Sequence, residues 1–289
     1  MSAAISLKNV TKLFSNKRGI DGVNLEIKSG EIFGFLGPNG AGKTTTIRCL
    51  MDFIRPNSGS IKLLGKDAHI DSVEIKAKTG FLSSDPTLYG KWTGKQYLDF
   101  FAQVRGKNNV DDLVKRLGLD LNIQFQHLSS GNKQKLALIL ALYGKPELII
   151  MDEPTKALDP LLQQEIYAIL HEYKAGGGTV FVSSHNLPEV EKICDRVAVI
   201  REGKIVAEET MQSIREMAIH LVTISSAVVI NKKDFDFPNV EVAHSSDKHT
   251  LLKVKGDLNP VMKAVTKYKL KDLEVTHANL EDIFLEYYK

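Results

Sequence analysis

Glu31-Ile32-Phe33-Gly34-Phe35-Leu36 is apolar after its first residue and stops at a glycine-rich stretch. The pattern predicts a buried strand that leads through a loop into a helix beginning near Lys43. Further strands are expected at the apolar stretches within Leu148 to Met151, Thr179 to Ser183 and Arg196 to Ile200. Helical segments, among them Gln134 to Tyr143 and Leu161 to Lys174, separate these strands. Strands alternating with helices imply a largely parallel, layered α/β core.

Two stretches depart from that rhythm. Thr93 to Arg105 sets Leu98, Phe101, Ala102 and Arg105 at helical spacing, and Val110 to Leu117 continues in helical character, so a helical insertion is expected at about residues 86–145. After Glu216 short apolar runs at Leu221 to Ile224, Ala227 to Ile230 and Leu251 to Val254 lie between polar loops broken by Pro238 and Pro260. These predict three strands of a small α+β appendage. Its last segment offers Asn279 as a helix cap, with Leu280, Ile283, Phe284 and Tyr287 along one face. The expected division is a core domain at 1–215 and an accessory domain at 216–289.

With 289 residues, 43% of them hydrophobic, the chain can bury one full-sized core and a second small one. Its 38 basic and 35 acidic residues nearly balance, which argues against the clustered positive charge of a nucleic-acid binder. Cys49 and Cys194 stand alone, with no nearby Cys or His at metal-ligand spacing, and read as ordinary thiols. No secretion signal begins the chain and no apolar run approaches the ~18 residues that span a bilayer, so a soluble, cytosolic chain is expected.

Gly37-Pro38-Asn39-Gly40-Ala41-Gly42-Lys43-Thr44 fits the phosphate-loop pattern G-x-x-x-x-G-K-[ST], with the strand before and the helix after that the pattern requires. Glycines let backbone N–H groups turn inward and approach phosphate oxygens closely, and the helix N-terminus adds its positive dipole. Lys43 is placed to neutralise β and γ phosphates, and Thr44 to offer a hydroxyl to Mg²⁺. A phosphate loop alone leaves GTPases, kinases, helicases and transport ATPases open. Asn231-Lys232-Lys233-Asp234 after an apolar run imitates a guanine-reading motif. Against that, no Asp in the chain has Gly three residues later, as the switch segment of GTPases needs, and the segment lies in the appendage. A polar turn is the better reading.

Leu128-Ser129-Ser130-Gly131-Asn132 before a helix, Leu148-Ile149-Ile150-Met151-Asp152-Glu153-Pro154, Leu158-Asp159 and Ser184-His185 follow the phosphate loop in that order. Here the sequence resembles the ABC ATPase family over about residues 3–210. The resemblance implies an ATPase with ATP and Mg²⁺ as cofactors. Asp152 would hold the Mg²⁺ shell from a strand end, because a hard cation prefers oxygen ligands. Glu153 would orient and deprotonate the attacking water. His185 would sense the γ-phosphate, and Phe14 would stack on adenine. Thr45 joins the phosphate-loop residues. Ser129, Ser130, Gly131 and Asp159 would face a nucleotide held by an opposing subunit, so catalysis requires a homodimer or a heterodimer of ATPase subunits.

Three segments depart from the family. Ser84 stands where a glutamine usually reaches the metal, and Asp85 is the candidate substitute. The signature reads Ser-Ser-Gly-Asn, and Lys156 stands where Ser is common. The ending Leu280-Glu281-Asp282-Ile283-Phe284-Leu285-Glu286-Tyr287-Tyr288 is similar to the close of ATP-binding subunits from ABC-2-type exporters. That likeness implies a separate transmembrane permease, contacted near Ser84 to Trp92 with Tyr89 and Trp92 as anchors, at the cytoplasmic face of the cell membrane. The alternative is a soluble ABC ATPase that acts as a mechanical or regulatory module.

Overall fold

A computed structural model describes residues 3–15, 18–216 and 219–277. The chain divides into two compact units, Met1–Glu209 and Thr210–Lys289. In the first, strands run in the order β1 (Ala3–Leu13), β2 (Gly19–Lys28), β3 (Ile32–Leu36), β4 (Ser58–Leu63), β5 (Lys66–Asp67), β6 (Thr79–Leu82), β7 (Leu148–Asp152), β8 (Thr179–Ser184) and β9 (Arg196–Arg201), with β10 (Lys204–Thr210) ending it. They form a four-stranded sheet, β2-β1-β4-β5, and a six-stranded one, β10-β9-β3-β8-β7-β6.

The six-stranded sheet is parallel through β9, β3, β8, β7 and β6. Every residue of β3, β7 and β8 is buried, as strands covered on both faces must be, which is why they read as continuous apolar runs. Phe181 stacks on Phe33 at 6.3 Å between ring centroids and leans on Phe35 at 5.4 Å. Truncating such a ring costs about 3–5 kcal/mol. The β1–β2–β4 sheet is antiparallel. Along β2, Ile20, Val23, Leu25 and Ile27 are buried between exposed positions, and they join the same core as Phe35 and Ile47.

Helices connect the strands. Helix α1 (Lys43–Leu50) follows β3, and α2 (Ser72–Ala77) precedes β6. Between β6 and β7 lie α3 (Gly94–Arg105), α4 (Asp111–Arg116) and α5 (Ser130–Leu142). Thr93 and Gln96 close a capping box at the start of α3, which fixes where that helix begins. Helix α6 (Pro160–Ala175) runs between β7 and β8, and α7 (Leu187–Ile193) between β8 and β9.

The second unit opens with α8 (Met211–Glu216) and contains β11 (Ile219–Ser226), β12 (Val240–Ser245), β13 (His249–Lys255), α9 (Asn259–Val265) and β14 (Leu270–His277). Its antiparallel sheet has the order β12-β13-β11-β14. Val222, Ile224, Leu252, Val254, Val261 and Phe235 make its own core.

One predicted strand is absent: Ala227 to Ile230 is an irregular turn. The β ladder with β13 is already complete at Ser225, Val228 and Val229 face solvent, and only Ile230 enters the core. Ala227 N donates to Lys269 O and Ile230 N to Asp247 O, so the backbone is tied off by loops. The expected cap at Asn279 and the helix face from Leu280 to Tyr287 lie outside the described residues.

Candidate functional site

The carboxyl ends of the buried strands carry the polar residues. β3 ends at Leu36 and the chain turns through Gly37–Gly42 into α1. At Gly37 a Cβ would lie 2.4 Å from the Ile200 carbonyl oxygen. Gly42 holds φ at 117°, where a Cβ would press on Ile20 at 2.8 Å. Both positions therefore require glycine, one for close approach and one for both reasons. Lys43 is buried, with Nζ donating to Gly37 O at 2.6 Å and Pro38 O at 3.3 Å and standing 3.7 Å from Glu153 Oε1. Burial lowers the pKa of its ammonium, while Glu153 and Asp152 pull it back up.

β7 delivers Asp152 and Glu153 to the same place. Thr44 Oγ1 donates to Asp152 Oδ2 at 2.9 Å, and the neighbouring strand supplies Ser183 Oγ as a donor to Oδ1. Two hard oxygens, Thr44 Oγ1 and Asp152 Oδ2, thus sit together at the cavity wall, a donor set suited to Mg²⁺ shared with phosphate oxygens. Among the described residues no cluster of three or more His, Cys, Asp and Glu could hold a metal by itself. Such a cation would need its remaining ligands from substrate and water.

Glu153 adopts φ of 51°, a conformation that costs a non-glycine residue about 1 kcal/mol or more. Neighbours hold it there: its N–H donates to Ser183 O at 3.0 Å, and the buried Gln134 amide reaches Pro154 O at 3.1 Å and Glu153 O at 3.4 Å. The turn aims the Glu153 carboxylate at His185, whose Nδ1 lies 2.9 Å from Oε1. Behind this pair, the buried Glu189 accepts from Thr155 Oγ1 at 2.7 Å and from Ser184 Oγ at 2.5 Å. Burial raises the pKa of Glu189, although both hydroxyls favour its charged form.

A cavity of about 380 Å³ brings together Phe14, Pro38, Asn39, Gly40, Gly42, Lys43, Thr44, Thr45, Asp152 and Glu153. Phe14 is 44% exposed beside the phosphate loop, with Lys12 Nζ over its ring at 5.8 Å from the centroid. Gly37 and Ala41 shape the loop without lining the space, and His185 joins through Glu153. Arg18, Gly19, Ser84 and Lys156 also line it. The sequence motifs do not assign Arg18 or Gly19; the signal for Gly19 is a glycine at the start of the alternating strand β2.

A family model described as ABC transporter matches residues 20–156. The bacitracin transport ATP-binding protein BcrA of Bacillus licheniformis is 33% identical across 99% of this chain and 97% of that protein. The Nod factor export ATP-binding protein I of Paraburkholderia xenovorans is also 33% identical, across 98% and 96%. A solved dimeric ATP-binding cassette in a post-hydrolysis state with ADP and Pi matches with a TM-score of 0.64 and 26% identity, over 72% of this chain and 98% of that one. This chain belongs to the ABC transporter ATP-binding family.

As an ABC ATPase it hydrolyses ATP, and the arrangement can be read atom by atom. Lys43 and the N-terminus of α1 offer positive charge to phosphates. Glu153, steadied by His185, is a carboxylate within the same cavity, where it can accept a proton from water. Four expected nucleotide contacts stand apart from the cavity of this one chain. Ser129 caps α5 by accepting from Asn132 N at 3.3 Å, with Ser130 and Gly131 in its first turn. A Cβ on Gly131 would lie 3.4 Å from Ala157 O, next to Leu158, and Asp159 caps α6 by accepting from Leu162 N at 3.0 Å. Asp85 does not line the cavity, and both its carboxylate oxygens lie 3.2 Å from Lys156 Nζ.

Proposed function

We propose that this chain is the energy-coupling subunit of a membrane exporter, in which ATP closes two ATPase subunits around two nucleotides. The observation that carries this reading is the split of the motif set. Lys43, Thr44, Asp152 and Glu153 gather at one cavity, while Ser129, Gly131 and Asp159 gather elsewhere in the same chain, beside Ala157 and Leu158. Each half-site is chemically incomplete until a second subunit presents its signature residues to the first subunit's cavity. Thr44 and Asp152 would hold Mg²⁺, which would supply positive charge beside the β and γ phosphates, and loss of the γ-phosphate contacts would loosen the pair, an ordering switch of a known type.

A separate chain in the membrane is the partner in this reading; among the described residues no helix is long and apolar enough to cross a bilayer. Export is favoured by the names of the two relatives above, a bacitracin transport protein and a Nod factor export protein. An ABC-2-type permease is the partner class, and the ATPase then works at the cytoplasmic face. A groove of about 330 Å³ between β6 and the helical insertion suits a short helix of that permease. It is lined by Phe53, Phe81, Pro86, Leu88 and Phe101, with Arg105 at its wall. Phe53 is 53% exposed and Tyr89 60%, an apolar rim available to a partner. Trp92 is half-buried and touches the rings of Tyr89, Tyr97 and Phe100, so its contribution is to brace Tyr89.

Two measurements test the proposal. With ATP, Glu153→Gln should run as a dimer by light scattering, and adding Gly131→Asp should return it to a monomer while each chain still binds nucleotide. Native protein taken from membranes in mild detergent should carry an integral membrane subunit. Its absence would transfer the reading to a soluble mechanical or regulatory ATPase.

A further inference from the structure

Lys156 is a cation that none of the roles above employs. It lies three residues after Glu153 and lines the same cavity as Lys43 and Thr44. Asp85 draws its ammonium to the cavity's edge, with both carboxylate oxygens at 3.2 Å. The two side chains are 45% and 84% exposed. Exposed pairs of this kind shift an equilibrium by a factor of only about 1.5 to 5, so this one is weak enough to exchange partners.

The position of Asp85 gives the exchange a consequence. Its neighbour Ser84 faces the nucleotide cavity, whereas Ser83 and Pro86 line the groove beside Phe53 and Phe101. Asp85 therefore sits on the short stretch of backbone that the two cavities share. A triphosphate brings several negative charges into the space that Lys156 borders, and competes with Asp85 for the same ammonium.

We propose that Lys156 is a phosphate-binding residue restrained by Asp85, and that the Lys156–Asp85 pair is exchanged for a Lys156–phosphate contact when a nucleoside triphosphate enters. Arrival of ATP thereby frees the Ser83–Thr87 loop at the wall of the groove. This inference rests on the nucleotide site described above and gives Asp85 a role other than metal ligand.

The test is calorimetric titration of the full chain with ATP in EDTA, and with a non-hydrolysable ATP analogue in Mg²⁺, for wild type, Asp85→Asn, Lys156→Met and the double variant. Removing the restraint should tighten binding about two- to fivefold in Asp85→Asn, with and without Mg²⁺. Lys156→Met should weaken binding by a similar factor, Lys156→Arg should keep wild-type affinity, and the double variant should match Lys156→Met. A pair that only braces the loops would move both single variants in the same direction or not at all, and either result overturns the proposal. So would weakening in Asp85→Asn confined to Mg²⁺, the mark of a metal ligand. If wild type itself bound no ATP, the nucleotide site would be at fault; if wild type bound and the single variants moved together, the exchange alone would be wrong.

Discussion

Around Lys43 the polar atoms turn toward a shared cavity, whereas around Asp234 they turn onto their own small unit. The first segment follows a strand that ends under a helix N-terminus, so backbone N–H groups, an ammonium and two carboxylates converge on one space. The second, Asn231 to Asp234, follows an irregular turn and coils into a single 3-10 helix. Asn231 Oδ1 accepts from Lys233 N at 3.1 Å, Tyr268 donates its hydroxyl to Asp234 Oδ2, and Lys267 Nζ stands 3.6 Å from Oδ1. The resemblance of Asn231-Lys232-Lys233-Asp234 to a guanine-reading motif thus ends at the order of its letters. A motif becomes a site when the fold leaves its polar atoms open to a ligand, and a strand end does that where a capped turn does not.

The contrast breaks most visibly at Glu153. Glu153→Gln keeps the turn and the size of the side chain but removes the base, so steady-state hydrolysis should fall by about 10² to 10⁴ with ATP affinity nearly unchanged. Unaltered turnover would take the proton acceptor away from this residue. Phe14 comes next. Its half-exposed ring should be worth about 1–3 kcal/mol to a stacked base, so Phe14→Ala should weaken ATP roughly 5- to 150-fold. Stacking has little sequence preference, so GTP affinity should fall in parallel. A fall for ATP alone would mean that Phe14 reads the base edge rather than its face.

Glu189 sharpens the comparison from behind the site. Its carboxylate ties Thr155, in the turn after Glu153, to Ser184, just before His185. Glu189→Gln should lower kcat about tenfold with KM unchanged, short of the ~10² that a 1 Å misplacement can cost. Burial raises this carboxyl's folded pKa above the ordinary 4.5, so its protonated form favours the folded state. That advantage is complete below 4.5 and is lost as pH rises through the folded pKa. Thermal melts should therefore show wild type losing stability over that window relative to Glu189→Gln, and parallel curves would mean that the group is not held as described.

How much of this could be read from the letters follows from the range of the interactions. The phosphate loop is legible because strand, glycines and Lys43 are contiguous, and Asp152 because an apolar run must end somewhere. Ser183 as the orienting partner of Asp152 depends on the parallel register of β7 and β8, which no local pattern encodes. The pairing of Lys156 with Asp85 spans 71 positions and joins two residues that depart from the family pattern. The resemblance to the family makes Asp85 a candidate metal ligand instead. Strand β2 alternates in period two, yet the antiparallel sheet escapes a reading tuned to continuous runs. Ala227 to Ile230 fails for the opposite reason: it is apolar enough for a strand but lies beyond the last rung of its ladder with β13.

The smallest effect is expected at Asp234. Asp234→Asn removes a charge from the guanine-like segment, and it should leave affinity for both ATP and GTP at the wild-type value, because nothing in the nucleotide cavity depends on it. Selective loss of GTP binding would reverse the contrast drawn above. Stability gives the same variant a visible signature. The Tyr268 hydroxyl, with Lys267 beside it, holds the Asp234 carboxyl below its ordinary value of 3.8. A depressed folded pKa contributes stability above the unfolded value and loses it as pH falls through the folded one. The melting temperature of the appendage in Asp234→Asn should therefore lie slightly below wild type at neutral pH. The gap should close as pH falls from 3.8 through the lower folded value. A gap that persisted in acid would mean that the asparagine disturbs the turn through its shape, because the charge would by then be absent from both proteins.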